Sequence, residues 1–354
     1  MAGCDLSGVK LSPLLTDLLA GRTAALARAI SLVENGRPGF EELLAALHPR
    51  LGQAHRIGIT GPQGAGKSTL TMQLTKAYRA RGEQVGVVAV DPTSPFTGGA
   101  LLGDRIRMED VALDEGVFIR SMATRGSLGG LATSTREVCD VLDAAGFDRI
   151  LVETVGVGQS ELAVSGMADS TVLVLVPESG DGIQALKSGV MEIADIFVVN
   201  KADRPGGDKL AREIDVTLGF RQGNAFRGVR AHHGVDLAPA GRTPPREPES
   251  ADRWKHPVLL TTASKADGVD RLLAELDRHH AWMTQGGELG ARRRRRLAAR
   301  TREVVDRAMH RWVWSSTQAE AMVNERLEEL ASGRISPYEL AGEIVTAVRE
   351  GVRV

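Results

Sequence analysis

The chain has 354 residues, of which 25% are charged and 42% hydrophobic, and its formal net charge is −1 at pH 7. This composition predicts a globular protein with a sizeable core, and it provides no net field that would attract nucleic acid or an anionic membrane. The two cysteines, Cys4 and Cys139, supply neither a disulfide framework nor a zinc cluster. We see no apolar leader or membrane-spanning run, and we expect a cytoplasmic protein.

Apolar residues recur at helical spacing through the first fifty residues. One such pattern covers residues 11–30 and a second covers residues 40–47, and the sequence Asn35-Gly36-Arg37-Pro38-Gly39 separates them. We therefore predict an N-terminal helical extension over residues 1–50 that packs on the main domain.

From residue 51 the pattern changes to short apolar runs that alternate with helical segments. Repetition of this kind predicts an α/β fold, a mostly parallel sheet between helices, and runs that are apolar throughout indicate strands covered on both faces. We assign this domain to residues 51–285. The predicted strands are Ile57 to Thr60, Val85 to Val90, Val117 to Arg120, Ile150 to Val152, Val172 to Val176, Ile196 to Val199 and Val258 to Thr261.

The first run leads into a glycine-rich turn with the pattern G-x-x-x-x-G-K-[ST], which predicts a P-loop NTPase. In this pattern glycines turn backbone N–H groups toward phosphate oxygens, the lysine adds a charge, and the hydroxyl of Ser68 is offered to Mg²⁺. A turn that binds nothing is disfavoured because the pattern lies between a strand and an amphipathic helix. The predicted phosphate-binding residues are Gly61, Pro62, Gln63, Gly64, Ala65, Gly66, Lys67, Ser68 and Thr69.

Acidic residues follow two other predicted strands, at the edge where ligands bind in parallel sheets. Asp91 ends one strand, Asp104 lies on the loop that follows it, and Glu153 ends another strand. These are candidate Mg²⁺ ligands, although both aspartates are also suited to capping the next helix. Gly156 would let a backbone N–H approach a γ-phosphate.

The run at residues 196–199 leads into Asn200-Lys201-Ala202-Asp203, the NKxD pattern of GTPases. A carboxylate at Asp203 would accept hydrogen bonds from the guanine N1–H and exocyclic amine, whereas adenine presents an acceptor at N1. The pattern therefore favours GTP over ATP. The segment Thr262, Ala263 and Ser264 follows the last strand and is a further candidate for contact with the base.

Two segments of the main domain carry weaker signals. Residues 180–187 form a glycine-hinged loop before a helix, which is typical of a mobile element. Residues 221–256 have little periodicity and predict a surface loop; the pair His232-His233 suggests exposed polar residues rather than a metal site, because no third ligand accompanies it.

Residues 286–354 return to helical periodicity and predict a C-terminal helical arm. Its stripe of apolar residues would either cover the main domain or pair with a second subunit. The run Arg292 to Arg296 is interpreted as a solvated face rather than a nucleic-acid site. The stripe comprises Leu297, Thr301, Val304, Ala308, Trp312, Ala319, Met322 or Val323, Leu327 and Leu330.

Several segments together resemble the MeaB-type GTPases, the family of the methylmalonic aciduria type A protein: VDPTSPFTGGALLGDRIRM, RGSLGGLATSTREV, ILVETVGVGQSE and VVNKAD. The resemblance covers residues 10–285, and less specifically the helical tail. It implies a P-loop GTPase of the SIMIBI class with GTP or GDP and Mg²⁺ as ligands. It also implies a chaperone that gates adenosylcobalamin delivery to an acyl-CoA mutase, protects or reactivates that enzyme, and releases damaged cobalamin. The adenosylcobalamin itself would be held by the mutase.

The resemblance further implies roles for particular residues. The Mg²⁺ and switch acids would be Asp91, Asp104 and Glu153, and residues 180–187 would be an additional switch that responds to the mutase through Gln184 and Lys187. Homodimerisation through the C-terminal helices is implied as well, and the mutase's adenosyltransferase is a further candidate partner.

Three departures from the family pattern stand in the chain. Pro62 precedes Gln63, whereas the family usually places proline one residue later; Gly182 replaces the usual acid of the additional switch; and residues 221–256 differ. Other interpretations remain open: a metallochaperone-type GTPase, a small-molecule kinase, and a scaffold that binds GTP without significant hydrolysis.

Overall fold

The computed structural model describes residues 11–91, 109–123, 128–154, 164–177, 190–221 and 253–349. By its internal contacts the chain divides into two compact units, Met1–Leu289 and Gly290–Val354. Within the described residues, no helix has the length and apolar character needed to cross a membrane.

The first unit is built on a seven-stranded sheet of order β3-β2-β4-β1-β5-β6-β7 in which all pairings are parallel. All seven predicted strands are present, and the predicted α/β fold is confirmed. The strands are β1 His55–Thr60, β2 Val85–Asp91, β3 Val117–Ala123, β4 Arg149–Thr154, β5 Ser170–Leu175, β6 Ile196–Val199 and β7 Val258–Leu260.

Helices cover both faces of this sheet. Successive strand residues point to opposite sides, so each strand packs against helices on both faces. Ile150 and Val152 pack with the N-terminal helices, whereas Leu151 between them packs with the helix that follows β1. The described helices of the first unit are α1 Leu11–Leu19, α2 Thr23–Glu34, α3 Phe40–Leu47, α4 Lys67–Ala80, α5 Glu109–Ala112, α6 Leu128–Ala144, α7 Gly207–Arg221 and α8 Val269–Gln285.

The N-terminal helices share a core with the sheet. Leu26, Ile30 and Leu43 are buried in the same cluster as Val88 of β2. An ion pair between Arg120 of β3 and Glu34 of α2 adds a polar link between the helices and the edge of the sheet. Burial at these sites stabilises the packing by about 1.5–3 kcal/mol for each large apolar side chain.

The surface loop predicted over residues 221–256 lies mostly outside the described residues, including His232 and His233. Its described end has no helix or strand, and Arg253 and Lys255 are exposed there, but the residue between them is buried. Trp254 is only 7% exposed, and its indole N–H donates to the backbone oxygen of Asp195 at 2.8 Å. This packing fixes the chain just before β7.

The second unit contains the long helix of the predicted arm and a small core of its own. Ala319, Ile335, Leu340 and Ile344 are buried together. The long helix ends at Ser316, so the predicted apolar stripe, which runs to Leu330, is divided between this helix and the shorter helices that follow it. These elements are α9 Glu288–Ser316, α10 Ala319–Glu325, α11 Leu327–Ala331 and α12 Pro337–Arg349.

Candidate nucleotide-binding site

The predicted phosphate-binding turn joins β1 to α4 at the carboxyl edge of the sheet. Gly61, Gly64 and Gly66 have φ values of 139°, 78° and 87°, in the region that favours glycine. A Cβ at Gly61 would lie 2.0 Å from the backbone oxygen of Val174, and one at Gly66 would lie 2.3 Å from Nδ2 of Asn200. Only glycine fits at these two positions, so the turn is closely packed against β5 and the loop after β6.

Lys67 is the first residue of α4 and is 6% exposed. Its ammonium donates to the backbone oxygens of Gly61 at 2.8 Å and Pro62 at 3.0 Å. The charge is therefore held over the turn by carbonyl groups. Phosphate oxygens carry full negative charge and are stronger acceptors for an ammonium than neutral carbonyls, so the same position suits binding of a phosphate.

Ser68 and Glu153 meet at the base of the turn. The Ser68 hydroxyl donates to Oε1 of Glu153 at 2.6 Å, and both side chains are less than 10% exposed. Glu153 reaches this place because β4 pairs directly with β1, with Ile59 opposite Glu153. A hydroxyl and a carboxylate are hard oxygen ligands of the type that Mg²⁺ prefers, so this donor set fits the predicted ion.

A second hydroxyl contact ties the same two strands together. The Thr154 hydroxyl donates to the Thr60 hydroxyl at 3.1 Å, and both residues are buried. This contact lies between the start of the phosphate-binding turn and the residue after Glu153. The sequence analysis did not identify it, because neither threonine belongs to a phosphate-binding pattern.

Asp91 is the last residue of β2, as predicted. β2 pairs with β4, and Val90 lies opposite Thr154, so the backbone of Asp91 ends beside the end of the strand that carries Glu153. Its side chain lies outside the described part of the structure. Asp104, Gly156, Gln184 and Lys187 lie outside the described residues entirely, so their predicted roles stay predictions.

Asn200 connects the NKxD loop to the phosphate-binding turn. Its Nδ2 donates to the backbone oxygen of Ala65 at 2.8 Å, and its Oδ1 accepts from the Thr261 hydroxyl and the Ala263 N–H, both at 3.1 Å. The side chain is 2% exposed. Asn200 therefore links its own loop to the phosphate-binding turn and to the segment that follows β7. This is a structural role, distinct from direct contact with a base.

The loops that begin at residues 200 and 261 are joined to each other. The Ala202 N–H donates to the Thr261 oxygen at 3.0 Å, and Lys201 adopts a positive φ of 56°. Asp203 is exposed at the rim, where its Oδ2 accepts from the ammonium of Lys265 at 3.2 Å. The structure thus brings Asp203 close to the segment predicted to contact the base, and it adds Lys265, one residue beyond that segment.

Two of the predicted backbone contacts to the base are already used within the protein. The Thr262 N–H donates to the Asp267 oxygen at 3.0 Å, and the Ala263 N–H donates to Asn200. Ser264 is exposed beside them. Among the N–H groups predicted for base contact, that of Ser264 is the one to test.

The site consists of a strand, a glycine-rich turn with a buried lysine, and a helix. An NKxD loop further along the sheet is hydrogen-bonded to that turn. This arrangement defines a P-loop nucleotide-binding protein. The model of the family described as "Methylmalonyl Co-A mutase-associated GTPase MeaB" matches residues 26–318. This chain belongs to that family of GTPases, as its sequence motifs predict.

Individual relatives agree with this assignment. A putative GTPase of Pyrococcus abyssi is 41% identical over 341 residues, which cover 96% of this chain and 98% of the relative. The methylmalonic aciduria type A homolog of Mus musculus, a mitochondrial protein, is 31% identical over 95% of this chain and 79% of its own length. The crystal structure of a LAO/AO transport system kinase covers 98% of this chain and 100% of its own at 25% identity, with a TM-score of 0.63.

Proposed function

We propose that this GTPase is a chaperone of an adenosylcobalamin-dependent acyl-CoA mutase. It gates delivery of the cofactor to the mutase and protects or reactivates that enzyme, and adenosylcobalamin stays on the mutase. The mutase named in the family description, methylmalonyl-CoA mutase, is the first partner to test, and the mutase's adenosyltransferase is a further one. We further propose that the protein is cytoplasmic and forms a homodimer through its C-terminal helical arm, residues 286–354. Residues 51–285 would be the GTPase domain and residues 1–50 an N-terminal helical extension.

The observation that supports this proposal best is the buried hydrogen bond between Ser68 and Glu153 in a member of this family. Glu153 is the penultimate residue of β4, two positions before the segment 155–163. A change in the chain after Glu153 would therefore act on the hydroxyl that is offered to the metal ion. P-loop enzymes obtain most of their catalysis from positioning and electrostatics, so a partner that sets this position controls the rate.

Each part of the site has a proposed role in this reaction. Residues 61–69 bind the phosphates, and Lys67 stabilises the charge on the transferred phosphoryl group. Ser68, with Asp91, Asp104 and Glu153, would hold Mg²⁺, which neutralises phosphate charge when it is bound. Gly156 would offer its N–H to the γ-phosphate, and Gln184 and Lys187 would respond to the mutase.

Base recognition completes the assignment. Asp203 accepts from guanine, Asn200 braces the loop that carries it, and Lys201 belongs to the same loop. Thr262, Ala263 and Ser264 form the adjacent wall, with the Ser264 N–H as the proposed donor to guanine O6.

Phosphate release from GTP, measured with and without the mutase, tests the chaperone proposal. We expect slow release by the chain alone and an increase of roughly 10-fold or more when the mutase is added, because positioning residues commonly contribute factors of that size. A Glu153→Gln variant serves as the comparison, and it should respond less to the mutase. A scaffold would release no phosphate in either case, and a rate that ignores the mutase would contradict the proposal.

A metallochaperone remains a less supported candidate. It would require a site of several His, Cys, Asp or Glu ligands to hold the metal that it delivers. Across the described ranges of the chain, no group of three such residues is placed to hold a metal ion. Equilibrium dialysis with Ni²⁺ and Zn²⁺ would test for one in the whole protein.

A further inference from the structure

The Lys265–Asp203 ion pair lies at the rim of the proposed base site. The ammonium nitrogen of Lys265 is 3.2 Å from Oδ2 of Asp203. We infer that Lys265 is a positioning residue for guanine recognition: its ammonium fixes the Asp203 carboxylate in the orientation that accepts the two N–H donors of the base. The inference rests on the proposed role of Asp203.

The backbone sets the distance between these two residues. The loops that carry them are joined by the hydrogen bond from Ala202 to Thr261, and Asn200 accepts from both Thr261 and Ala263. These three contacts are at 3.0–3.1 Å, and Asn200 and Thr261 are buried. These contacts hold the backbones of the two loops at a fixed separation, which keeps the ammonium of Lys265 within reach of Asp203.

A tight turn presents Lys265. The residue ends a 3₁₀ helix, Ala263–Lys265, and its N–H donates to the Thr262 oxygen at 2.9 Å. The turn closes through Gly268, where a Cβ would lie 2.3 Å from the Leu260 oxygen and φ is 75°. Because the turn packs this closely against the end of β7, its backbone has little room to move Lys265 away from the rim.

The pair contributes little to folding. The side chains of Lys265 and Asp203 are 67% and 42% exposed, and ion pairs at such exposure contribute little net stability. Its effect is on the carboxylate itself. A carboxylate has about four lone-pair sites, so Asp203 can accept from Lys265 and still accept from the guanine N1–H and exocyclic amine. Fixing its rotamer before binding lowers the entropy cost of those directional, charge-assisted bonds.

The test is calorimetric titration of the full chain with GTP and ATP, for the Lys265→Met variant and for a matched control. Methionine keeps an unbranched apolar chain and removes the charge. The control is Lys76→Met, which breaks another exposed Lys–Asp pair, that of Lys76 with Asp110 at 2.7 Å. We expect Lys265→Met to lower GTP affinity roughly 3- to 10-fold, with little change in ATP affinity, and Lys76→Met to change neither.

A double variant separates positioning from general attraction of an anionic ligand. In the Asp203→Asn background, xanthosine triphosphate is the matched ligand, because an amide can donate to the xanthine carbonyl and accept from its N1–H. If Lys265 acts through the carboxylate, Lys265→Met has no further effect in this background. An equal loss for GTP and ATP, or an equal loss in both backgrounds, would overturn the inference.

Failure of the inference is distinguishable from failure of the assignment of Asp203. If the wild-type chain does not prefer GTP to ATP, Asp203 has no role in base recognition, and the inference about Lys265 fails with it. If the wild-type chain prefers GTP but Lys265→Met has the same nucleotide affinities as Lys76→Met, only the inference about Lys265 is overturned.

Discussion

The two edges of the same sheet satisfy their polar groups in different ways. At the carboxyl edge, the buried ammonium of Lys67 donates to two backbone carbonyls, and Asp203 at the rim is exposed and contacts a lysine. At the amino edge, where the strands begin, buried or half-buried side chains of β4, β1, β5 and α8 bond to one another. The first arrangement can exchange its partners for a ligand, whereas the second is closed and serves stability.

The chemistry of the amino edge gives its hydrogen bonds a single direction. Arg149 Nη1 lies 2.8 Å from His55 Nδ1, and arginine can only donate, so this nitrogen accepts. Neutral His55 then carries its proton on Nε2 and donates to the Ser170 hydroxyl at 2.8 Å. Ser170 in turn donates to His279 Nδ1 at 2.8 Å, and His279 Nε2–H faces Asp195 Oδ1 at 3.4 Å.

Burial alone does not mark a ligand site. Ser170, His279 and Asp195 are a serine, a histidine and an aspartate in contact, yet all three are 5% exposed or less. No substrate can reach them. Lys67 and Ser68 are buried to a similar degree, but they lie at the mouth of a turn whose residues Gln63 and Gly64 are exposed.

The largest expected effect belongs to the carboxyl edge. Lys67→Ala should lower GTP affinity by about 100-fold or more, because a charge-assisted contact to phosphate is lost. Stability should change little, since the partners of Lys67 are carbonyls at an open turn. Calorimetry and chemical denaturation measure the two quantities, with Lys76→Ala as control on the same helix. Unchanged GTP affinity would remove the phosphate-binding assignment.

Asp203→Asn should lower GTP affinity by roughly 30-fold, because the amide nitrogen cannot accept from guanine. ATP affinity should stay close to its wild-type value, so the preference between the two nucleotides narrows. Competition of each nucleotide against a fluorescent GTP analogue measures the ratio. Were the preference to stay the same, base recognition would lie elsewhere.

Ser170→Ala tests the amino edge. It should lower stability and leave GTP affinity nearly unchanged, which is the reverse of the effect expected for Lys67→Ala. It leaves two buried histidine nitrogens without the hydroxyl between them, at a cost of about 2 kcal/mol in the free energy of unfolding. GTP affinity should stay within about 2-fold, since the change is at the other end of the sheet. Ser315→Ala, at an exposed helical position, is the control for chemical denaturation. Loss of nucleotide binding without loss of stability would show that the amino edge serves the nucleotide site rather than the stability of the fold.

The smallest effect is the pH dependence of stability. Burial lowers the pKa of His55 well below its ordinary value of 6.5, and the neighbouring His280 lowers the pKa further. The unfolded chain therefore binds more protons as the pH falls through 6.5, and the folded state loses stability below that pH while keeping it above. One such histidine lowers the free energy of unfolding by about 1 kcal/mol between pH 7 and pH 5.5.

A His55→Gln variant should flatten this dependence, and His48→Gln, at an exposed position, should leave it unchanged. Urea unfolding at a series of pH values measures both. His256 will contribute in the same direction, because burial lowers its pKa as well. An identical pH dependence in the His55→Gln and wild-type proteins would show that the closed network does not require a neutral His55.

The sequence was sufficient to predict the strands and the phosphate-binding turn, because each depends on neighbouring residues: apolar runs covered on both faces, and glycines at fixed spacing before a lysine. It did not reveal the network of His55, Ser170 and His279. These residues are more than a hundred positions apart. They meet because β1 pairs with β5 and because helix α8, which carries His279, packs on the sheet. The burial of Trp254 was missed for the same reason.

The base site shows the same limit. The NKxD pattern pointed to Asp203, but the bracing by Asn200 and the contact of Lys265 depend on how two loops meet. Lys265 directly follows the predicted segment Thr262 to Ser264, so reading the pattern one residue further would have included it. Its contact with Asp203, 62 residues away, needed the structure.

We propose that the nucleotide bound at the carboxyl edge controls association with the mutase. The most direct measurement is the affinity of the full chain for an adenosylcobalamin-dependent methylmalonyl-CoA mutase, made once with a non-hydrolysable GTP analogue and once with GDP. A gate requires the two affinities to differ, and coupling between sites of this kind is typically about 5- to 150-fold. We predict a difference of at least about 10-fold, which should vanish in Lys67→Ala. Equal affinities in the two nucleotide states would contradict the account.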